Sequence, residues 1–141
     1  MPVSEITNSQ NGSMRPSTGA LTSDMLDFQV LKAFEKVKSD DGSDIVIELI
    51  DLYLESASQG IVTMLNAAAE GDWALLKRTA HTLKGSSGTL GLRQIATICQ
   101  DLEDASLSPG DDVPALVSLL ESKFVEIKPV LIHERDRRRL A

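Results

Sequence analysis

The stretch AHTLKGSSGTLG, residues 80–91, combines a histidine, a lysine and two glycines at helical spacing. Neutral imidazole is nucleophilic, so His81 is a candidate to form a covalent intermediate. Lys84, three residues later, would place an ammonium group beside the ring. Such a cation stabilises an anion carried on a ring nitrogen, and a dianionic phosphoryl group is the obvious candidate.

A helical projection places His81 on the solvent side of its helix. At about 100° per residue, the apolar stripe of this helix centres roughly 130° away from the histidine. The face of His81 carries Lys77, Arg78, Lys84, Gly85 and Gly88. Glycines there leave bare main chain, which lets a second macromolecule approach the ring. The blander interpretation, an incidental surface histidine beside glycines that serve tight helix packing, stays open but fits the projection less well.

A carboxylate is predicted next to His81 from the following helix. If the two helices form a hairpin about Gly91 and Leu92, residues equidistant from the turn lie side by side. His81 is 11 positions before Leu92, and Glu103 is 11 positions after it. The Glu103 carboxylate would then accept one ring N–H and orient the imidazole. An ordinary solvated glutamate is the alternative.

Apolar residues recur at steps of three and four along most of the chain, which predicts an all-α protein. One short helix over about 28–38 precedes four longer ones, and the connections between these four are short. Short connections make successive helices antiparallel neighbours. We therefore expect an antiparallel up-down-up-down four-helix bundle with a short additional N-terminal helix, in which Ser43 caps the first long helix.

The chain divides into three predicted segments. Residues 1–22 are rich in Ser, Thr, Asn, Gly and Pro, which is typical of a disordered lead. Residues 23–132 form the predicted bundle domain. Pro129 is expected to kink or fray the last helix, which leaves residues 133–141 as a frayed basic tail.

Composition excludes several classes of function. The net charge of −7 argues against general nucleic-acid binding, which needs a positive surface. Cys99 is the single cysteine, so no internal disulfide forms, and this fits a reducing compartment. The sequence contains no run of 18 apolar residues, so no segment is expected to span a membrane. The expectation is a cytoplasmic, monomeric protein.

The stretch HTLKGSSGTLGLRQIATICQDLE, residues 81–103, resembles the signature of histidine-containing phosphotransfer (HPt) domains. The shared pattern is His-x-Leu-Lys-Gly-Ser-Ser, then Leu-Gly, then a spaced Cys and a closing Leu-Glu. The resemblance extends over about residues 25–128. It implies a four-helix bundle whose exposed histidine carries a phosphoryl group on Nε2. That group is exchanged with the aspartate of a response-regulator receiver domain, in a relay that begins at a sensor (hybrid) histidine kinase.

The resemblance also implies roles for individual residues. His81 would be the phosphoacceptor, Lys84 would balance the phosphoryl charge, Gly85 would give the receiver access, and Glu103 would orient the ring. The receiver would contact a surface that includes Met25, Phe28, Lys77, Arg78 and Gly88. No cofactor is expected on this chain, since the receiver is expected to bring the Mg²⁺.

Such a protein would be a phosphotransfer intermediate and not an enzyme with an ATP site. Two alternatives remain at this stage. One is the phosphoacceptor fragment of a larger hybrid or chemotaxis-type histidine kinase, and the other is a non-catalytic helical adaptor. A metal site is disfavoured, because cations surround His81 and Cys99 lies on an apolar stripe.

Overall fold

The structure is a computed structural model that describes residues 25–34, 37–38, 42 and 44–140. Its helices are α1 Phe28–Ala33, α2 Ile45–Glu70, α3 Trp73–Thr89, α4 Arg93–Leu107 and α5 Asp112–Leu140. Apart from one isolated bridge between Lys38 and Asp44, these ranges contain no β-structure. The all-α class is therefore confirmed. The predicted lead, residues 1–22, lies outside the described residues.

Aspartates begin three of the helices by accepting hydrogen bonds from free backbone N–H groups. Asp27 caps α1 and Asp72 caps α3. Asp44 caps α2 by accepting from the Val46 N–H at 2.9 Å. Ser43, the predicted cap of this helix, lies outside the described residues. The helix α1 ends at Ala33, five residues before its predicted end at Lys38.

The four long helices enclose one hydrophobic core. The helix α2 packs on α3 and α5, and α4 packs on the same two helices. Leucine and isoleucine fill the space between them, as the low aromatic content requires. The largest fully buried side chains include Leu26, Leu31, Ile50, Met64, Leu76, Leu90, Leu92, Leu102, Leu120, Ile127 and Leu131.

The last helix differs from the prediction at its C-terminal end. The helix α5 runs through Pro129 and continues to Leu140, so the frayed tail predicted for residues 133–141 is wrong up to Leu140. Arg138 supplies the reason, because only 7% of its side chain is exposed. Its guanidinium donates to Glu134 and Asp44, each at 2.6 Å. These contacts fasten the end of α5 to the start of α2.

The two carboxylates around Arg138 are held in their charged form. Burial acts to raise the pKa of Asp44 and of Glu134, but hydrogen bonds outweigh it and keep both pKa values below their usual range. Those bonds come from the Val46 N–H and Arg138 to Asp44, and from Arg137 and Arg138 to Glu134.

Among residues 44–140 and the shorter described ranges, no helix is both long and apolar enough to cross a membrane.

Candidate functional site

His81 lies on the outer face of α3, as the helical projection predicts. Its side chain is 69% exposed. The opposite face of the same helix is buried in the core through Leu76, Ala80, Leu83 and Ser87. The Ser87 hydroxyl is hydrogen-bonded to the Tyr53 hydroxyl of α2 at 2.9 Å, which adds a polar contact between the two helices. The imidazole therefore stands in solvent on a helix whose rotation is set by burial.

Glu103 reaches His81 from α4, as the hairpin geometry predicts. The distance between His81 Nδ1 and Glu103 Oε2 is 3.1 Å. An ionised carboxylate only accepts hydrogen bonds, so Nδ1 carries the proton and donates it to this contact. That tautomer leaves the lone pair on Nε2, the nitrogen that does not contact Glu103. Only 12% of the Glu103 side chain is exposed, so the partner of the exposed ring is itself well anchored.

Lys84 contacts the other oxygen of the Glu103 carboxylate. Its Nζ lies 2.7 Å from Glu103 Oε1, and it donates to Gln100 Oε1 at 2.8 Å. The sequence places this ammonium beside the histidine but does not predict that it is paired. One partly buried carboxylate therefore joins the imidazole and the ammonium, and the three predicted residues form a single cluster.

The charges in this cluster favour an ionised glutamate. The Lys84 ammonium lowers the pKa of the Glu103 carboxyl below its usual range, and His81 adds to the effect, while burial opposes it. The carboxylate therefore remains an acceptor for the Nδ1–H at neutral pH. Since the Lys84 side chain is 30% exposed, its ammonium is partly within reach of a group carried on the outer face of α3.

The two glycines on the histidine's face have no packing function. A Cβ atom added to Gly85 or to Gly88 would meet no heavy atom within 4 Å outside the local helix backbone. Each glycine in a helix interior costs about 1 kcal/mol relative to alanine. Packing does not require this bare backbone, and the space beside it on the histidine's face is open.

Gln100 and Asp104 complete the cluster and were missed by the sequence analysis. The Gln100 amide accepts from Lys84 and donates through Nε2 to Asp104 Oδ1 at 3.0 Å. The hairpin argument that pairs His81 with Glu103 also pairs Lys84 with Gln100, since these lie eight positions before and after Leu92. That signal was present in the sequence but was applied only to the histidine.

The predicted partner-contacting residues lie on α3 and in the segment that contains α1. Lys77 and Arg78 are exposed on α3, about one turn before His81, and Gly88 is exposed after it. Phe28 is exposed on α1, whereas Met25 is half-buried against the core. The hydrogen bond and ion pair described for His81 are with Glu103, and none is described between the ring and these five residues.

The structure describes no cluster with the composition of a metal site. Within residues 25–34, 37–38, 42 and 44–140, no group of three or more His, Cys, Asp or Glu side chains is arranged to hold a metal ion. Cys99 is fully buried, as the sequence predicts. Burial, helped by the nearby Glu103, raises the pKa of its thiol to about 12, so it is not a thiolate at neutral pH.

The chain is similar to known proteins over most of its length. The model of the Hpt domain matches residues 48–128, which include the whole cluster. Among solved structures, the chain is similar to histidine-containing phosphotransfer protein B from Pseudomonas aeruginosa PAO1, with 27% sequence identity and a TM-score of 0.72. That match covers 80% of this chain and 96% of the other. The comparison with curated proteins gives no match.

Proposed function

The chain belongs to the Hpt domain family and functions in a phosphorelay, and from this premise we propose that His81 is its phosphoacceptor. In this proposal His81 receives a phosphoryl group from the aspartate of a response-regulator receiver domain and returns it to such an aspartate. The contact between His81 Nδ1 and Glu103 is the observation that carries the proposal, because it leaves Nε2 outermost and unprotonated on an exposed ring.

The proposed transfer needs no external acid or base. The Nε2 lone pair attacks the phosphorus of the receiver's aspartyl phosphate. The N–P bond forms as the bond between phosphorus and the aspartate oxygen breaks, and the aspartate leaves as a carboxylate. The ring keeps its proton on Nδ1 and gains a positive charge, which the Glu103 carboxylate stabilises at 3.1 Å. Transfer back to an aspartate reverses these steps.

The neighbouring residues have supporting roles in this proposal. Lys84, with Lys77 and Arg78 on the same face, offsets the negative charge of the phosphoryl group. Gly85 and Gly88 leave room for the receiver to bring its aspartate to Nε2, since neither position has a neighbouring side chain to displace.

A receiver domain and a sensor histidine kinase are the proposed partners. The receiver would contact Phe28 and Met25 of the N-terminal segment and supply the Mg²⁺ and the acidic pocket. The chain itself would be a monomeric phosphotransfer intermediate without autokinase activity. A reducing compartment such as the cytoplasm is consistent with the single, buried Cys99.

The proposed architecture is an antiparallel up-down-up-down bundle with α1 across one end. Two features support it: the connections between α2, α3, α4 and α5 are two to four residues long, and each of these helices packs on its successor. The domain limits at residues 23 and 132 remain a prediction; the continuation of α5 to Leu140 supports a later C-terminal limit.

The decisive experiment is phosphotransfer from a labelled phospho-receiver to the wild type and to His81→Gln. We expect label on the wild type and on the control His133→Gln but not on His81→Gln, in a linkage that is labile to acid and stable to base. His133→Gln is the matched control, because His133 is the second histidine of the chain and is exposed on α5. A helical adaptor with an incidental histidine predicts no label on any of the three proteins.

A further inference from the structure

The Lys84 ammonium lies between two acceptors of different charge. Glu103 Oε1, at 2.7 Å, belongs to a carboxylate, and Gln100 Oε1, at 2.8 Å, belongs to a neutral amide. The two acceptors lie one turn apart on α4, so they approach the ammonium from different directions. An ammonium group has three N–H bonds; Gln100 accepts from one of them and Glu103 forms an ion pair, so at least one N–H remains available.

The Gln100 amide has one favourable orientation. Its Nε2 donates to Asp104 Oδ1 at 3.0 Å, and an ionised carboxylate can only accept. If the amide turned over, its oxygen would face the Asp104 carboxylate and its NH₂ would face the Lys84 ammonium. Both contacts would then be unfavourable, so Asp104 keeps Oε1 directed at Lys84.

A neutral acceptor and a charged acceptor affect a lysine differently. A second carboxylate at position 100 would hold the ammonium more strongly, but it would also neutralise the charge that an incoming phosphoryl group needs. An amide oxygen holds the ammonium in place and adds no further negative charge beside it. Without an acceptor at position 100, Lys84 would have Glu103 as its only described partner, and its long side chain would regain several rotamers.

We propose that Gln100 is a positioning residue, which holds Lys84 at the site through a neutral acceptor so that the ammonium keeps its charge and one N–H for the phosphoryl oxygens. The proposal rests on the proposed function, in which Lys84 offsets the phosphoryl charge. Gln100 itself touches neither His81 nor the transferred group in this assignment, and it acts only through Lys84.

Two substitutions at position 100 test separately whether the side chain holds Lys84 and whether its acceptor must be neutral. Gln100→Met removes the acceptor and keeps the length of the side chain, whereas Gln100→Glu keeps an acceptor and adds a charge. Gln94→Met is the matched control, because Gln94 is an exposed glutamine on the same helix, in the groove between α4 and α5. Gln100 is also exposed, so all three variants should keep the fold, which circular dichroism can verify.

The first measurement is NMR of the lysine ammonium groups in isotopically labelled protein, with Lys84 assigned by Lys84→Met. In the wild type and in Gln100→Glu, we expect the Lys84 ammonium protons to be protected from exchange with water. In Gln100→Met that protection should be lost. An unchanged Lys84 signal in Gln100→Met would overturn the proposal, because the amide would then not be holding the ammonium.

The second measurement is single-turnover transfer from a labelled phospho-receiver over a range of receiver concentrations. We expect Gln100→Met to lower the maximal rate about fivefold, the size of one net hydrogen bond, with an unchanged half-saturating concentration. Gln100→Glu should be at least as slow although it still holds the lysine, and Gln94→Met should match the wild type. Wild-type transfer by Gln100→Glu would refute the need for a neutral acceptor. If the wild type accepts no phosphoryl group, the proposed function fails, while the NMR experiment still decides whether Gln100 holds Lys84.

Discussion

Replacing Gly85 should stabilise the protein and impair its function at the same time. The position is inside α3, where glycine costs about 1 kcal/mol relative to alanine. A Cβ at Gly85 meets no heavy atom within 4 Å beyond the local backbone, so alanine adds no steric strain. Gly85→Ala should therefore raise the free energy of unfolding by about 1 kcal/mol, which corresponds to about 3–5 °C in melting temperature for a chain of this size.

The effect on phosphotransfer should have the opposite sign and should grow with the size of the side chain. A methyl group one turn from His81 enters the space that the receiver must occupy. Misfits in a packed interface cost about 1–3 kcal/mol, so we expect a loss in transfer rate of about fivefold for Gly85→Ala and about a hundredfold for Gly85→Gln. A receiver cannot avoid the added side chain by binding elsewhere, because its aspartate must reach His81 Nε2.

The assay pairs urea unfolding with single-turnover transfer from a labelled phospho-receiver on the same preparations. Gly60→Ala is the matched control, because Gly60 is also inside a helix, and a Cβ there makes an ordinary contact of 3.7 Å with the Thr79 side chain. It should gain similar stability and transfer at the wild-type rate. Normal transfer by Gly85→Gln would refute the access argument, and a less stable Gly85→Ala would show that the glycine serves the fold.

Three further outcomes are expected. Arg138→Met should lower the free energy of unfolding by about 2–3 kcal/mol in urea titrations, because it leaves Glu134 and Asp44 without their shared cation. The exposed ion pair between Arg139 and Asp51 should contribute less than about 1 kcal/mol in the same measurement. The lowered pKa values of Asp44 and Glu134 mean that stability is complete above their unfolded-state values and is lost as the pH falls through the folded-state values. Urea titrations from about pH 7 to about pH 3 should therefore show a steeper loss in the wild type than in Arg138→Met, and equal slopes would contradict the network. Glu103→Ala should reduce the maximal rate of transfer about tenfold in single-turnover assays, since the ring loses its fixed tautomer. Glu103→Gln should restore part of that rate, because the amide oxygen still accepts from Nδ1. Equal rates in both variants would count against an orienting role for Glu103.

Much of the site could be predicted because it follows from the regular geometry of one helix and one hairpin. The exposure of His81 depends only on its angle to the apolar stripe of α3, and burial of that stripe sets the rotation of the helix. Its contact with Glu103 depends only on a short turn between two helices that pack on each other. Sequence spacing determines both quantities, so no knowledge of distant residues was needed.

The pairing of Lys84 was not predicted because several acceptors compete for a long side chain. Spacing places its ammonium near the histidine, but it does not decide between the ring, Glu103 and Gln100. That choice depends on how far each acceptor is buried and on which hydrogen bonds its neighbours make. The orientation of the Gln100 amide, for example, is set by Asp104.

The sequence by itself determined the helical class, the exposed histidine and the unobstructed backbone beside it, because each is a consequence of periodicity within about 25 residues. Only the tertiary structure decided where the chain's last helix ends. Arg135, Arg138 and Arg139 look like part of a solvated tail until the start of α2 places Asp44 and Asp51 opposite them. The partners of those charges are more than 80 positions away in sequence, and electrostatic pairing over such a separation is set by packing and not by local pattern.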